Sequence, residues 1–486
     1  MRSWHVLLRP LDIVVLAALV ALPVSYGVMP GLTGPFFITI LSAASLIVLM
    51  MNQSSDRSVA PGLYPVAISL GFYLLIQGYL GTSHSLEQSL SIAAAILYFL
   101  ALKRYFNQKR RGLISLAILG GGWIAAMSYL AAGFLNSSFD LRSLVLTNKN
   151  ILALHAVLLA PSALTEYVRS QNGKKRWFYM LIGLTLAAVI STTKSTGAWL
   201  ALLGSIAVFG WNNRVRPAFF IAGILVLLLK IGQHPVSVTD RLHWLRAALN
   251  IWIDHPIFGA AGLGGFPALY PAYKGLGASI NSNLSHNLYM EVLSWWGLTG
   301  GVLAILFIFL VARSFNAKPP WIFCATMAIA AISGFYESAL LLLPNIIMLM
   351  AFIAAQMPIK EEIYTGSLKQ RSSFFGVWAL GVWTLAASLP LTLGRYYLVK
   401  GDLLSRIPDA SAGRVTQKFL TKASRWDYKN PVVWHDLSRA QHAGADRQAL
   451  RLARTLVAQK KACSLEPYRK GHWAHLARLY DYSDLP

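Results

Sequence analysis

Stretches of roughly twenty apolar residues recur along most of this chain, and that single feature restricts its fold more than any other. A backbone in hydrocarbon must satisfy its own N–H and C=O groups, so each such stretch has to be a membrane-spanning helix. The apolar blocks place spans near 11–29, 34–51, 62–80, 86–102, 112–134, 150–168, 177–192, 195–210, 217–232, 286–312, 319–336, 338–357 and 373–394. The expectation is an all-α, polytopic membrane protein with about 13 transmembrane helices plus a small helical extracytoplasmic C-terminal module. With 56% hydrophobic and 13% charged residues, a soluble multidomain protein is excluded. The first span follows a short basic start and lacks a small-residue cleavage site, so it is expected to be retained.

The net charge of +24 does not imply nucleic acid, because in a membrane protein Lys and Arg first report orientation. Every second loop is basic: Arg57, then 103–111, 169–176, Arg214 and Arg216, Arg313 and Lys318, and 360–371. Positive residues resist translocation, so these loops and the N-terminus are expected in the cytoplasm. The 233–285 loop and everything after residue 395 then lie outside it. Three cations run against the pattern: Arg142, Lys149 and Lys194. Lys194 sits in the hydroxyl-rich turn Ser191-Thr192-Thr193-Lys194-Ser195-Thr196-Gly197 between two spans. A cation at that depth calls for snorkelling or for an anionic partner such as a substrate group.

The outer loop carries Leu242, Leu245, Leu249 and Ile253 at helical spacing and a stop at Pro256. This predicts an amphipathic helix on the outer membrane boundary, anchored by Trp244 and Trp252. Gly259, Gly262, Gly264 and Gly265 follow as a turn that permits close backbone approach. No strand precedes them, so they are not a dinucleotide fingerprint.

From Arg395 onward, 17 Lys and Arg stand against eight acidic residues, a balance of +9. The boundary is expected at 397/398, between a transmembrane catalytic domain (1–397) and a helical module (398–486). Pro431, Trp434, Leu437 and Ala440 are echoed by Pro467, Trp473, Leu476 and Ala477, with the two tryptophans 39 residues apart. That pattern resembles a degenerate pair of tetratricopeptide repeats, and it implies a surface for a protein partner. Cys324 and Cys463 have neither disulfide nor metal-ligand spacing.

The polar chemistry gathers where the outer loop enters an apolar helix, at Ser285-His286-Asn287. A histidine at a helix end is commonly a structural hydrogen-bonder, but a neutral imidazole there can also take a proton from a hydroxyl nucleophile. Arg241 can grip phosphate oxygens as negative charge develops, or pair with Asp240 or Asp254. Lys194, Ser195, Asn287, Arg246 and Glu291 are the candidate substrate-binding residues. Gly262, Gly264, Gly265 and Gly297 are the candidate structural glycines. The loops hold no acidic cluster spaced for a divalent metal, and no cofactor is expected.

On these residues the chain resembles the bacterial O-antigen ligase and O-antigen polymerase superfamily. The match runs from Arg241 and Trp244 through His255-Pro256, Gly259 and Gly262-Leu263-Gly264-Gly265-Phe266 to His286-Asn287 and Gly297. The threonine expected three residues after that glycine is Gly300, and the arginine of a second family block is replaced by Thr196, with Lys194 two positions earlier. The resemblance implies an inverting, metal-independent glycosyltransferase acting on an undecaprenyl-diphosphate-linked glycan at the periplasmic face of the inner membrane. It implies His286 as base, Arg241 and Lys194 at the diphosphate, and a lipid A-core, glycan or protein acceptor. A lipid or solute transporter is the alternative from another class, and would place polar residues near mid-membrane.

Overall fold

The computed structural model describes the chain apart from residues 1–9, 26–31, 52–61, 106–110, 135–148, 210–220, 223–224, 226–234, 276–277, 279–281, 316–319, 358–367, 406–409, 444–448 and 484–486. Among the described residues every regular element is helical. In chain order these are α1 (Pro10–Ser25), α2 (Thr33–Met51), α3 (Leu63–Leu80), α4 (Ser83–Tyr105), α5 (Arg111–Phe134), α6 (Lys149–Arg169), α7 (Gly173–Thr193) and α8 (Thr196–Phe209). Then come α9 (Pro235–Asp254), α10 (Gly265–Tyr273), α11 (Leu288–Arg313), α12 (Trp321–Gly334), α13 (Leu343–Gln356) and α14 (Leu368–Ser405). The tail adds α15 (Ala410–Trp426), α16 (Pro431–Ala443), α17 (Ala449–Leu465) and α18 (Lys470–Ser483).

Seven described helices, α3 to α7, α11 and α14, contain stretches long and apolar enough to cross a membrane, and five shorter apolar helices accompany them. Twelve of the thirteen expected spans coincide with a helix. The thirteenth, 217–232, lies almost wholly outside the described residues, as do Arg57, Arg142, Arg214, Arg216, Lys318 and Lys360.

Helix α4 is the hub. It is 89% buried over its apolar window, against 33% for α11 and α14 at the periphery. The sequence explains this: Ser85, Ser89, Ser91, Ala93, Ala94 and Ala95 give α4 a surface of small side chains, all buried, so α2, α3, α13 and α14 approach it closely.

The expected boundary at 397/398 falls inside α14, which runs unbroken for 38 residues. At 1.5 Å per residue that is about 57 Å, well beyond a ~30 Å hydrocarbon layer, so the composition changes partway along one rod. The tail is tied back to the bundle. Arg395 reaches Glu87 at 3.2 Å, Ser83 at 3.3 Å and Asp427 at 3.6 Å. Asp427 also accepts from Asn430 at 2.8 Å, and the Ser83 N–H donates to the Lys429 carbonyl at 3.3 Å. Burial pushes the Asp427 carboxyl up, against the pull of Arg395.

The tail repeat has a physical basis. Trp434 Nε1 donates to the Tyr428 carbonyl at 2.7 Å and Trp473 Nε1 to the Pro467 carbonyl at 2.6 Å, in each case six residues upstream. Between the two units, the rings of His435 and His472 lie 4.8 Å apart and those of His435 and His475 5.3 Å apart. Burial, with His435, His442, Arg478 and Arg439 around it, pushes His475 down to about 4. An unfolded histidine titrates near ~6.5, so below that pH the unfolded tail binds the proton more readily and stability drains away as pH falls towards 4. Replacing His475 with Asn is therefore expected to flatten the loss of tail protection between pH 6.5 and 4, read by hydrogen exchange over α16 to α18. An unchanged slope would remove His475 from that linkage.

Candidate functional site

The candidate site grows out of the way α11 begins. Ser282 Oγ donates to the Leu284 carbonyl at 2.7 Å, closing a tight turn ahead of the helix. Asn287 is the N-cap: its Oδ1 accepts from Met290 N–H at 3.0 Å, satisfying a donor the helix start leaves orphaned. Glu291 reaches back, its Oε2 accepting from both the N–H and the Oγ of Ser285 at 2.6 Å each, and its Oε1 accepting from Trp295 Nε1 at 2.8 Å. Glu291 is 1% exposed, so it builds the turn from inside and does not face outward as a substrate ligand.

Between Ser285, held by Glu291, and the cap Asn287, His286 has φ +55°. A non-glycine residue in the left-handed region is uncommon, and here it turns the imidazole out of the chain's path. The ring lies against Trp244, centroids 4.6 Å apart and 32° between planes, and its Nδ1 is 2.9 Å from Glu337 Oε1. Trp244, expected as a membrane anchor, packs on the histidine.

Residues 335–337, the turn leaving α12, are the meeting point. Asn287 Nδ2 donates to the Phe335 carbonyl at 3.2 Å, Arg241 Nη1 to the Tyr336 carbonyl at 2.5 Å, and His286 pairs with Glu337. Arg241 and His286 are brought together in this way from α9 and from the start of α11. Asp254, a possible partner for Arg241 in the sequence, accepts from Tyr273 OH at 2.5 Å. That hydrogen bond, with burial behind it, pushes the Tyr273 hydroxyl up to about 12 and clips α9 to α10.

Lys194 caps α7 in the left-handed conformation, φ +52°, with its side chain exposed. Its neighbour Ser195 is buried. The turn meets the same centre through Gly197, where an added Cβ would lie 3.5 Å from the Tyr336 Cβ. The turn that carries Lys194 and Ser195 thus approaches Tyr336 at Gly197. Arg246 is exposed and five residues beyond Arg241, about 140° around the helix, so it does not join Arg241.

The glycines shape the scaffold. Gly297 sits at φ 62°, ψ −166°, which breaks the hydrogen-bond ladder of α11. The freed donors are taken up by the outer loop: Leu298 N–H bonds the Pro256 carbonyl at 2.9 Å and Thr299 N–H the Ile257 carbonyl at 3.0 Å. Gly259 packs backbone to backbone on this kink, where any Cβ would strike Trp295 and Gly297. Gly264 and Gly265 also have positive φ, and Gly265 lies on the Trp295 ring. Gly262, by contrast, has ordinary space for a Cβ beside Leu80.

Sequence reasoning missed Glu337. Its signal was present: it is the only charged residue between Trp321 and Met357, and an ionisable group in so apolar a stretch points to function by default. In comparisons with known proteins, no family model and no curated protein matches the chain.

Proposed function

We propose that this protein is a membrane-embedded glycosyltransferase of the O-antigen ligase and polymerase superfamily, acting at the periplasmic face of a bacterial inner membrane. On this reading about thirteen helices span the bilayer, the N-terminus is cytoplasmic, and α9, α10 and the tail lie outside. The donor is an undecaprenyl-diphosphate-linked glycan and the acceptor a hydroxyl of lipid A-core. The observation that carries the reading is the convergence of His286 and Arg241 on one turn at the ends of apolar helices, which the turn containing Lys194 approaches at Gly197. A base, a planar phosphate-binding cation and a point charge are the groups that transfer from a lipid diphosphate requires.

The exposed apolar side chains of Phe335, in the turn itself, and of Leu242, next to Arg241, suit a donor whose tail stays in lipid. In the proposed reaction His286 takes the proton of the acceptor hydroxyl, and that oxygen forms its bond to the anomeric carbon from the face opposite the diphosphate. The bond from that carbon to the diphosphate oxygen breaks, and the electron pair leaves with the lipid diphosphate, steadied by Arg241 and Lys194. Within the same superfamily, a growing polymer or a protein is the alternative acceptor, favoured by the docked repeat-like tail as a surface for a partner.

The two arginines of α9 provide the test. Arg241→Gln is expected to lower kcat/KM for transfer about 10²-fold or more. Arg246→Gln should stay within about threefold, as befits an exposed side chain on another face. Purified protein in vesicles containing the lipid-linked glycan gives the rates. Equal losses in both variants would take the diphosphate role away from Arg241.

A further inference from the structure

We infer that Glu337 is a positioning residue that sets the tautomer of His286, holding the proton on Nδ1 and leaving Nε2 as the lone-pair nitrogen that meets the acceptor hydroxyl. The inference rests on His286 being the base. It adds which nitrogen acts, what fixes it, and a residue 51 positions away that the reaction depends on.

Three observations carry it. The first is the contact itself, Nδ1 to Oε1 at 2.9 Å. A carboxylate accepts hydrogen bonds, so this contact favours the tautomer with the proton on Nδ1 and the lone pair on Nε2. The second is where the pair sits. Glu337 is 8% exposed, and a carboxylate taken out of water is costly unless it is paired. It lies in the turn that also receives Asn287 and Arg241. The third is that every other freedom of the ring is removed: the backbone of His286 is in the left-handed region, one ring face lies on Trp244, and the residues on either side are fixed by Glu291 and by the cap of α11. A base held this way needs no reorganisation when the substrate arrives. As the imidazole takes the acceptor proton on Nε2 it becomes a cation, and the Glu337 carboxylate faces the charge that develops.

A merely structural contact and a tautomer-setting one make opposite predictions for Glu337→Gln. Glutamine has the same shape and can keep a hydrogen bond to Nδ1 through its amide N–H, which would favour the tautomer with the proton on Nε2 and block the base. The expected result is a fall in kcat of about 10²- to 10⁴-fold, the scale seen when a catalytic histidine is held in the wrong tautomer, with KM for the lipid-linked glycan and the elution profile of the purified protein unchanged. Glu337→Asp, which keeps the charge at a longer reach, should recover part of kcat. Wild-type kcat in Glu337→Gln would overturn the inference and assign the contact to structure alone. Loss of folded protein in both variants would overturn it as well, since the pair would then be serving the fold. The reading on which this rests fails separately: transfer by wild type that persists in His286→Asn removes the base itself, whatever Glu337 does.

Discussion

Replacing His286 with asparagine is expected to lower glycan transfer about 10²- to 10⁴-fold, the usual contribution of a positioned general base. Asparagine is the informative substitution because the backbone at 286 has φ +55°, a conformation asparagine tolerates better than most residues. Alanine would confound lost chemistry with backbone strain. The neighbouring framework does not pass through the imidazole: Asn287 still caps α11, and Glu291 still holds Ser285 and Trp295. The protein should therefore still fold and elute as wild type, with a lower thermal midpoint from the loss of about 1–3 kcal/mol of stability as the Glu337 carboxylate is left without its partner, while the transfer rate collapses. The measurement is initial rate on lipid-linked glycan, with size-exclusion elution as the control for folding. A full rate in His286→Asn would end its candidacy as base.

Gly297→Ala is expected to have the largest effect on the fold, and through it on activity. At φ 62°, ψ −166° the backbone occupies a region open essentially to glycine alone, which costs a residue with a Cβ on the order of 1–3 kcal/mol in strain. Sterics add to this, because the new Cβ would strike the Ile257 carbonyl and the Gly259 N–H, the backbone on which the outer loop is seated. Relief requires the loop to lift. That breaks the bonds from Leu298 and Thr299 to residues 256 and 257, each worth about 1 kcal/mol. The expected total is about 3 kcal/mol or more, seen as a drop in thermal midpoint and in monodisperse yield. A Gly262→Ala control has room for its Cβ and should be nearly silent. Equal stability of Gly297→Ala and wild type would show that the kink is not needed.

The helices of the bundle were legible because apolar runs near twenty residues admit one solution in lipid, so twelve expected spans fall on helices. The kink in α11 was not. The run 288–313 reads as one long apolar helix with few polar residues, and only the tertiary bonds to 256 and 257 make a break at Gly297 favourable. His286 stood out by its place at a polar-to-apolar junction, and Arg241 by its place in the outer loop. Glu337 did not, because its partner is far along the chain and hairpin turns attract polar residues for many reasons. Trp244 carried two signals at once: a tryptophan in an amphipathic helix suits a membrane interface, and only the packing of α9 turns it onto His286. Glu291 likewise read as a polar neighbour of the site, whereas its buried carboxylate accepts three hydrogen bonds from Ser285 and Trp295. The continuity of α14 across 397/398 was not legible either, because composition registers a change from apolar to basic residues and not whether the helix continues through it.

The most direct test of the proposed chemistry is to place the purified protein in vesicles with an undecaprenyl-diphosphate-linked glycan and lipid A-core, and to follow both by mass spectrometry. The expected result is one undecaprenyl diphosphate released for each glycan gained by the acceptor, with the configuration at the transferred anomeric carbon inverted and the release abolished in His286→Asn. Glycan-lipid that crosses the bilayer intact, with no diphosphate released and no acceptor modified, would contradict it and show a transporter instead.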